Sequence, residues 1–157
     1  LYRSNAVNIT GLNTGADSRA IALDPTPGQS RAFVVSRRPE ALLTVDLSNV
    51  NAPTITDAVA LPYGPSRLAV VPGTADRPTL VYVVSYDARA IAVVDPAEHR
   101  VIDQIPTHAG PHDIVRDPNG EFLYVVDFLD ASLEVIDIRP TSPRYNHRVL
   151  TLARQEQ

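Results

Sequence analysis

The residues in this sequence that could take part in chemistry are arginines, carboxylates, histidines and aromatic residues next to short apolar segments. Arginine binds carboxylate and phosphate groups, histidine and aspartate transfer protons, and aromatic rings stack on ligands. One set of these residues comes directly before an apolar segment, and the other follows the next segment along the chain. We expect the following residues to bind a ligand: Arg19, Arg67, Tyr86, Asp87, His112, Asp113 and Phe128.

Several kinds of site are excluded or disfavoured by the residue types. The chain has no cysteine and no lysine, which excludes thiolate, Schiff-base and P-loop lysine chemistry. No Ser-His-Asp arrangement or Gly-x-Ser-x-Gly elbow occurs. His108 and His112 are four residues apart, but the segment 109–111 between them, Ala-Gly-Pro, predicts a turn and not a helix with two metal ligands on one face. We therefore expect no catalytic residue, no metal ligand and no cofactor.

Two further groups of carboxylates are interpreted as turn residues. Asp117 to Glu121, Asp-Pro-Asn-Gly-Glu, has some of the oxygen ligands of a calcium loop but lacks the rest, so a hairpin turn is favoured. Asp46, Asp95 and Asp137 each follow an apolar segment. We expect each of their carboxylates to accept a backbone hydrogen bond and begin a turn.

The composition is that of a globular protein and limits the partners. The 157 residues are 44% hydrophobic and 20% charged, with a net charge of −4. An acidic chain is a poor ligand for phosphate-rich surfaces, so we expect no nucleic-acid partner. No apolar run approaches the roughly 20 residues that span a bilayer, so we expect no membrane insertion.

These residues belong to a sequence repeat. Three units contain an apolar segment ending in Pro, a second ending in Ser or Asp, and a third ending in Asp. The prolines, Pro25, Pro72 and Pro118, are spaced by 47 and 46 residues. The second and third segments of each unit end ten residues apart, at Ser36 and Asp46, Ser85 and Asp95, and Asp127 and Asp137.

The period and the residue types predict an all-β fold, a β-propeller built from four-stranded antiparallel blades. The second and third strands are almost continuously apolar, which is typical of strands buried on both faces. Residues 1–157 then form a partial propeller, with blades at 15–62, 63–108 and 109–157. Residues 1–14 supply one outer strand of a preceding blade, at Asn8–Leu12.

Several segments resemble the Tyr-Val-Thr-Asn motif of the YVTN repeat family: Phe33-Val34-Val35-Ser36, Tyr82-Val83-Val84-Ser85 and Tyr124-Val125-Val126-Asp127. The stretches 110–114 and 117–120 match other parts of that repeat, and the resemblance covers residues 15–152. It implies a bacterial protein exported to the periplasm or cell exterior, with a ring of six to eight blades. Because three repeats cannot close a ring, we expect as partners the remaining blades, from the same longer chain, a fragment or another copy, together with a protein partner.

The resemblance leaves the function open among three possibilities. We favour a non-catalytic propeller segment that acts as a scaffold or binding module in the bacterial cell envelope. One alternative is part of a lactonase-like hydrolase that uses Arg19, Arg67, His112 and Asp113. The other is part of a propeller subunit of a periplasmic electron-transfer dehydrogenase whose cofactor belongs to another chain.

Overall fold

The structure is a computed structural model that describes residues 17–153. These residues form three four-stranded antiparallel sheets, each with its strands hydrogen-bonded in chain order. Blade 1 comprises β1 (Ser18–Leu23), β2 (Arg31–Arg37), β3 (Glu40–Asp46) and β4 (Thr54–Ala60). Blade 2 comprises β5 (Pro65–Val71), β6 (Leu80–Ser85), β7 (Ala90–Asp95) and β8 (Arg100–Pro106). Blade 3 comprises β9 (Pro111–Arg116), β10 (Phe122–Asp127), β11 (Ser132–Asp137) and β12 (His147–Ala153).

The all-β fold with three four-stranded antiparallel blades is therefore confirmed. The strand expected at Asn8–Leu12 lies outside the described residues. Residues 17–153 contain no helix that could cross a bilayer.

The turns form as expected from their carboxylates. Asp46, Asp95 and Asp137 each accept a hydrogen bond from the backbone N–H two residues further on, at 2.8, 2.8 and 2.9 Å. The hydrogen bond from the Arg139 side chain holds the pKa of Asp137 well below its usual range. In the β9–β10 hairpin, Asp117 Oδ1 accepts the N–H groups of residues 121 and 122 at 2.7 and 3.0 Å. These interactions confirm the interpretation of all four aspartates as turn residues.

Most of the core lies between the blades, and a smaller cluster lies within blade 1. One cluster joins blade 1 to blade 2 and includes Phe33, Val35 and Leu42 from the first and Val81, Val83 and Val94 from the second. Another joins blade 2 to blade 3 and includes Tyr82, Val84 and Ile91 from the second and Leu123, Val125 and Ile136 from the third. Because successive strand residues face opposite sides, the middle strands of blade 2 contribute to both clusters. Burial on both faces explains their continuous apolar sequence.

Blade 3 differs from blade 2 because its second face has no neighbour among the described residues. Tyr124, Val126 and Leu133 occupy the repeat positions that Tyr82, Val84 and Ile91 fill in blade 2, where those three are buried. Val126 is 46% exposed, whereas Val84 is 0% exposed. The same face also carries the exposed side chains of Val115, Leu150 and Leu152. We call this surface the free face of blade 3.

Candidate functional site

The ends of the first two strands meet in the same way in each blade. A residue at the end of the second strand, or just after it, donates its backbone N–H to the carbonyl oxygen of the residue before the first strand. These bonds run from Arg37 to Asp17 at 2.8 Å, from Tyr86 to Gly64 at 2.9 Å and from Phe128 to Gly110 at 2.8 Å. The innermost strands β1, β5 and β9 are neighbours. The three closures therefore lie side by side at one end of the blades, which we call the mouth.

Two glycines are required in these closures by their backbone conformation. Gly64 and Gly110 have φ of +76° and +72°, which L side chains rarely adopt. A Cβ on Gly64 would also lie 2.2 Å from Asp87 Oδ2, and one on Gly110 would lie 2.7 Å from Leu129 Cγ. Each glycine thus allows the turn after the second strand to fold closely over it.

A cavity of about 410 Å³ opens at the mouth. Its lining comes from all three blades and consists of Arg19, Arg37, Ser66, Arg67, Tyr86, Asp87, His112 and Phe128. We call it the mouth cavity. Six of the seven residues expected to bind a ligand are thus brought together here.

Asp113 is the expected site residue that does not line this cavity. It pairs with Val126 in the β9–β10 ladder and is exposed. Its Oδ1 accepts the backbone N–H of Ile114 at 2.9 Å. Its counterpart in blade 2, Arg67, has the same register opposite Val84 and does line the cavity, because its longer side chain reaches the Arg19 backbone oxygen.

Two lining residues, Arg37 and Ser66, were not among the expected ones. Arg37 occupies the repeat position of Tyr86 and Phe128, and Ser66 occupies that of Arg19 and His112. The repeat positions alone therefore place both residues at the mouth.

The cavity has an excess of positive charge. Arg37 Nη2 binds Asp87 Oδ2 at 2.9 Å, which ties blade 1 to blade 2, and Arg19 Nη2 binds Asp17 Oδ2 at 2.6 Å. Arg67 has no carboxylate partner among residues 17–153; its Nη1 donates to the backbone oxygens of Arg19 at 3.1 Å and Ser66 at 3.2 Å. These bonds hold the guanidinium in place and leave its charge uncompensated.

An aromatic wall completes the lining. The rings of His112 and Phe128 lie side by side, with centroids 6.2 Å apart and a tilt of 49°. Tyr86 lies at the position equivalent to Phe128 on the neighbouring blade. The site can therefore offer a ring surface for stacking next to an arginine for charge.

A separate acidic cluster lies where blade 3 meets blade 2. Asp127 and Glu134 are fully buried, and one carboxylate oxygen of each has no hydrogen-bond partner within the described part of the chain. Glu134 Oε1 accepts the backbone N–H of His108 at 3.1 Å and also binds Arg148. Burial, together with the nearby Glu134 charge, raises the pKa of Asp127 to about 6. No motif in the sequence indicates this cluster.

The histidines were expected not to form a metal site. His108 Nδ1 lies 3.5 Å from Asp130 Oδ2, and His108 Nε2 lies 3.4 Å from Glu134 Oε1. His112 lies against Phe128 in the mouth cavity. Within residues 17–153, no group of three histidine, aspartate or glutamate side chains is arranged to hold a metal ion.

Comparison with solved structures identifies the architecture. The chain is similar to hydrazine synthase of Kuenenia stuttgartiensis, with a TM-score of 0.66 and 23% identity over 83% of this chain and 34% of that one. It is similar to the periplasmic gluconolactonase PpgL of Pseudomonas aeruginosa, with a TM-score of 0.65 and 15% identity over 87% and 39% of the chains. A functionally unknown protein from Desulfotomaculum acetoxidans gives a TM-score of 0.70 and 14% identity over 88% and 43%.

The chain is a partial β-propeller. It spans between about a third and two fifths of the length of these structures. No family model and no curated protein sequence matches it. Identities this low establish the fold and leave function to the site itself.

Proposed function

We propose that this propeller segment is a non-catalytic binding module whose mouth cavity takes a ligand that carries a carboxylate or phosphate group. The observation that carries the proposal is Arg67, whose guanidinium lines the cavity without a carboxylate partner in residues 17–153. Arginine binds such groups through two parallel hydrogen bonds. Tyr86 and Phe128 then contact the rest of the ligand.

The setting that we propose is the bacterial periplasm or cell exterior. The YVTN resemblance supports it, as does the similarity to a periplasmic gluconolactonase. We further propose that the following blade of a longer polypeptide covers the free face of blade 3. This proposal is supported by the burial of the equivalent residues of blade 2 against their own neighbour.

The binding proposal is tested by titrating the chain with citrate and, separately, inorganic phosphate, with calorimetric detection. We expect saturable binding of at least one anion and a tenfold or greater loss of affinity in Arg67→Gln. Arg100→Gln is the matched control, because Arg100 is an exposed blade 2 arginine outside the cavity. Equal affinities of the parent and the Arg67→Gln variant for both anions contradict the proposal.

A hydrolase is the second candidate, because His112 lies in the same cavity as Arg19 and Arg67. The candidate is tested with glucono-1,5-lactone, by following acid release in the parent and in His112→Ala. Under our proposal, neither protein accelerates hydrolysis above the buffer rate. Acceleration by the parent that His112→Ala abolishes supports the hydrolase instead.

A further inference from the structure

A second cavity, of about 360 Å³, lies between blades 2 and 3 at the end opposite the mouth. The β5–β6 and β9–β10 hairpins and the β11–β12 connection surround it. Its wall is mostly apolar and includes Val71, Pro78, Leu80, Tyr82, Ile138 and Pro140. We call it the inter-blade cavity.

The equivalent junction between blades 1 and 2 is closed by hydrogen bonds. Thr26 Oγ1 and Thr79 Oγ1 are 2.8 Å apart, and Thr26 Oγ1 also accepts the backbone N–H of Gly73 at 2.9 Å. These bonds tie the first hairpin of blade 1 to that of blade 2. No described hydrogen bond joins the corresponding hairpins of blades 2 and 3, and the inter-blade cavity occupies that position.

The floor of the cavity is fixed and apolar. Leu80, Tyr82 and Ile138 belong to the core, and none of the three is more than 9% exposed. The Tyr82 hydroxyl donates to Asn146 Oδ1 at 2.9 Å, so its polar atom is already satisfied. Asn146 Nδ2 in turn donates to Asp103 Oδ2 at 3.1 Å. Tyr82 therefore offers its ring to the cavity and keeps no free hydroxyl proton for a ligand.

Two arginines supply charge at this apolar site. Arg77 and Arg116 both line the cavity, and neither has a carboxylate partner within residues 17–153. The Arg116 guanidinium lies over Gly120, where a Cβ would come within 2.7 Å of Nη1. The adjacent Asp117 uses its Oδ1 for the two backbone hydrogen bonds of the hairpin. The arginines are therefore available to an incoming anion.

We propose that the inter-blade cavity binds a small carboxylic acid with an apolar body, independently of the mouth cavity. The body packs on Leu80, Tyr82 and Ile138, and the carboxylate is bound by Arg77 and Arg116. The volume lies in the range of about 300–1,000 Å³ typical of small-ligand sites, which are also largely apolar with a few polar groups. An uncharged apolar molecule would leave both arginines unused, and acetate would leave the apolar wall uncovered.

The test uses three probes on the isotopically labelled chain: phenylacetate, its neutral analogue phenylacetamide, and acetate. Backbone amide shifts are followed by NMR at increasing probe concentration. Phenylacetate is expected to cause saturable shifts around Gly120 and Ile138, with at least tenfold weaker binding of the other two probes. The Arg77→Ala/Arg116→Ala double variant is expected to lose affinity at least tenfold, whereas Arg100→Ala retains it.

The thermal melting point of each variant is measured alongside, so that loss of binding is distinguished from loss of folding. If the double variant melts below the parent, Arg77→Gln and Arg116→Gln are tested singly, and each is expected to weaken phenylacetate binding. The proposal is overturned if phenylacetate causes no saturable shifts at these residues. It is also overturned if phenylacetamide binds equally well, or if variants that fold like the parent keep its affinity.

Discussion

Val84 and Val126 occupy the same position in successive repeats, yet only Val84 is covered by a neighbouring blade. The same substitution, valine to alanine, made at each of the two positions therefore tests whether the free face of blade 3 is covered. We expect Val84→Ala to destabilise the 157-residue chain strongly and Val126→Ala to destabilise it weakly. The parent chain serves as the common reference.

The expected magnitudes follow from burial. Each buried carbon removed costs about 0.8 kcal/mol, and the cavity left in a packed core raises the total for Val84→Ala to about 2–3 kcal/mol. Val126 is 46% exposed and has no described neighbour that would line a cavity. Its replacement therefore costs less than about 1 kcal/mol.

Urea denaturation measures both values, because the midpoint shifts by the lost free energy divided by the slope. With slopes of about 1–3 kcal/mol per molar, Val84→Ala is expected to lower the midpoint by about 0.7–3 M. Equal midpoints for the two variants would refute the reasoning, since they would show that the free face is covered in this chain. In a longer polypeptide that includes the next blade, the cost of Val126→Ala is expected to rise to that of Val84→Ala.

Two further predictions concern the buried carboxylate and the exposed face. The folded-state pKa of Asp127, about 6, lies above the ordinary aspartate value of 3.8, so the stability that this group contributes is present below about pH 4 and is lost as pH rises through about 6. The loss is about 3 kcal/mol at most. Asp127→Asn is therefore expected to be more stable than the parent at pH 7.5 but not at pH 4, and the exposed Asp113→Asn is the control. The prediction is contradicted if the urea midpoints of Asp127→Asn and the parent differ by the same amount at both pH values. The 157-residue chain alone is expected to self-associate or to bind a dye for apolar surfaces, because the free face groups the exposed side chains of Val115, Val126, Leu150 and Leu152. The mass is measured by light scattering, alongside dye binding and thermal melting. A monomer that binds no dye and melts cooperatively would show that the free face does not need a further blade.

Much of the fold follows from the sequence because the anchors repeat at fixed spacing. The ten-residue interval from Ser36 to Asp46 corresponds to a tight turn plus one strand, and its recurrence fixes the strand order. The mouth residues could also be predicted from the sequence, because the position of a residue within the repeat determines at which end of its blade it lies. Asp113 shows where this reasoning fails, because it has the same register as Arg67 in blade 2, yet only the longer Arg67 side chain lines the cavity.

The buried acidic cluster and the inter-blade cavity could not be derived in this way. Glu134 alternates with apolar residues along β11, and its complete burial depends on how closely blade 2 approaches. The inter-blade cavity depends on a missing contact between two hairpins, whereas the equivalent pair is joined through Thr26 and Thr79. Such differences arise from loop packing, which a repeat pattern does not encode.

The closure at the mouth is a hydrogen bond between main-chain atoms. The atoms that hold a blade together there are therefore different from the side chains that contact a ligand. At one position the three repeats carry Arg37, Tyr86 and Phe128, a cation and two different rings, on the same backbone bond. The side chain there is therefore free to vary without weakening the blade. A mouth built in this way can acquire a new preference one repeat at a time, so relatives with the same framework are able to diverge in what they recognise.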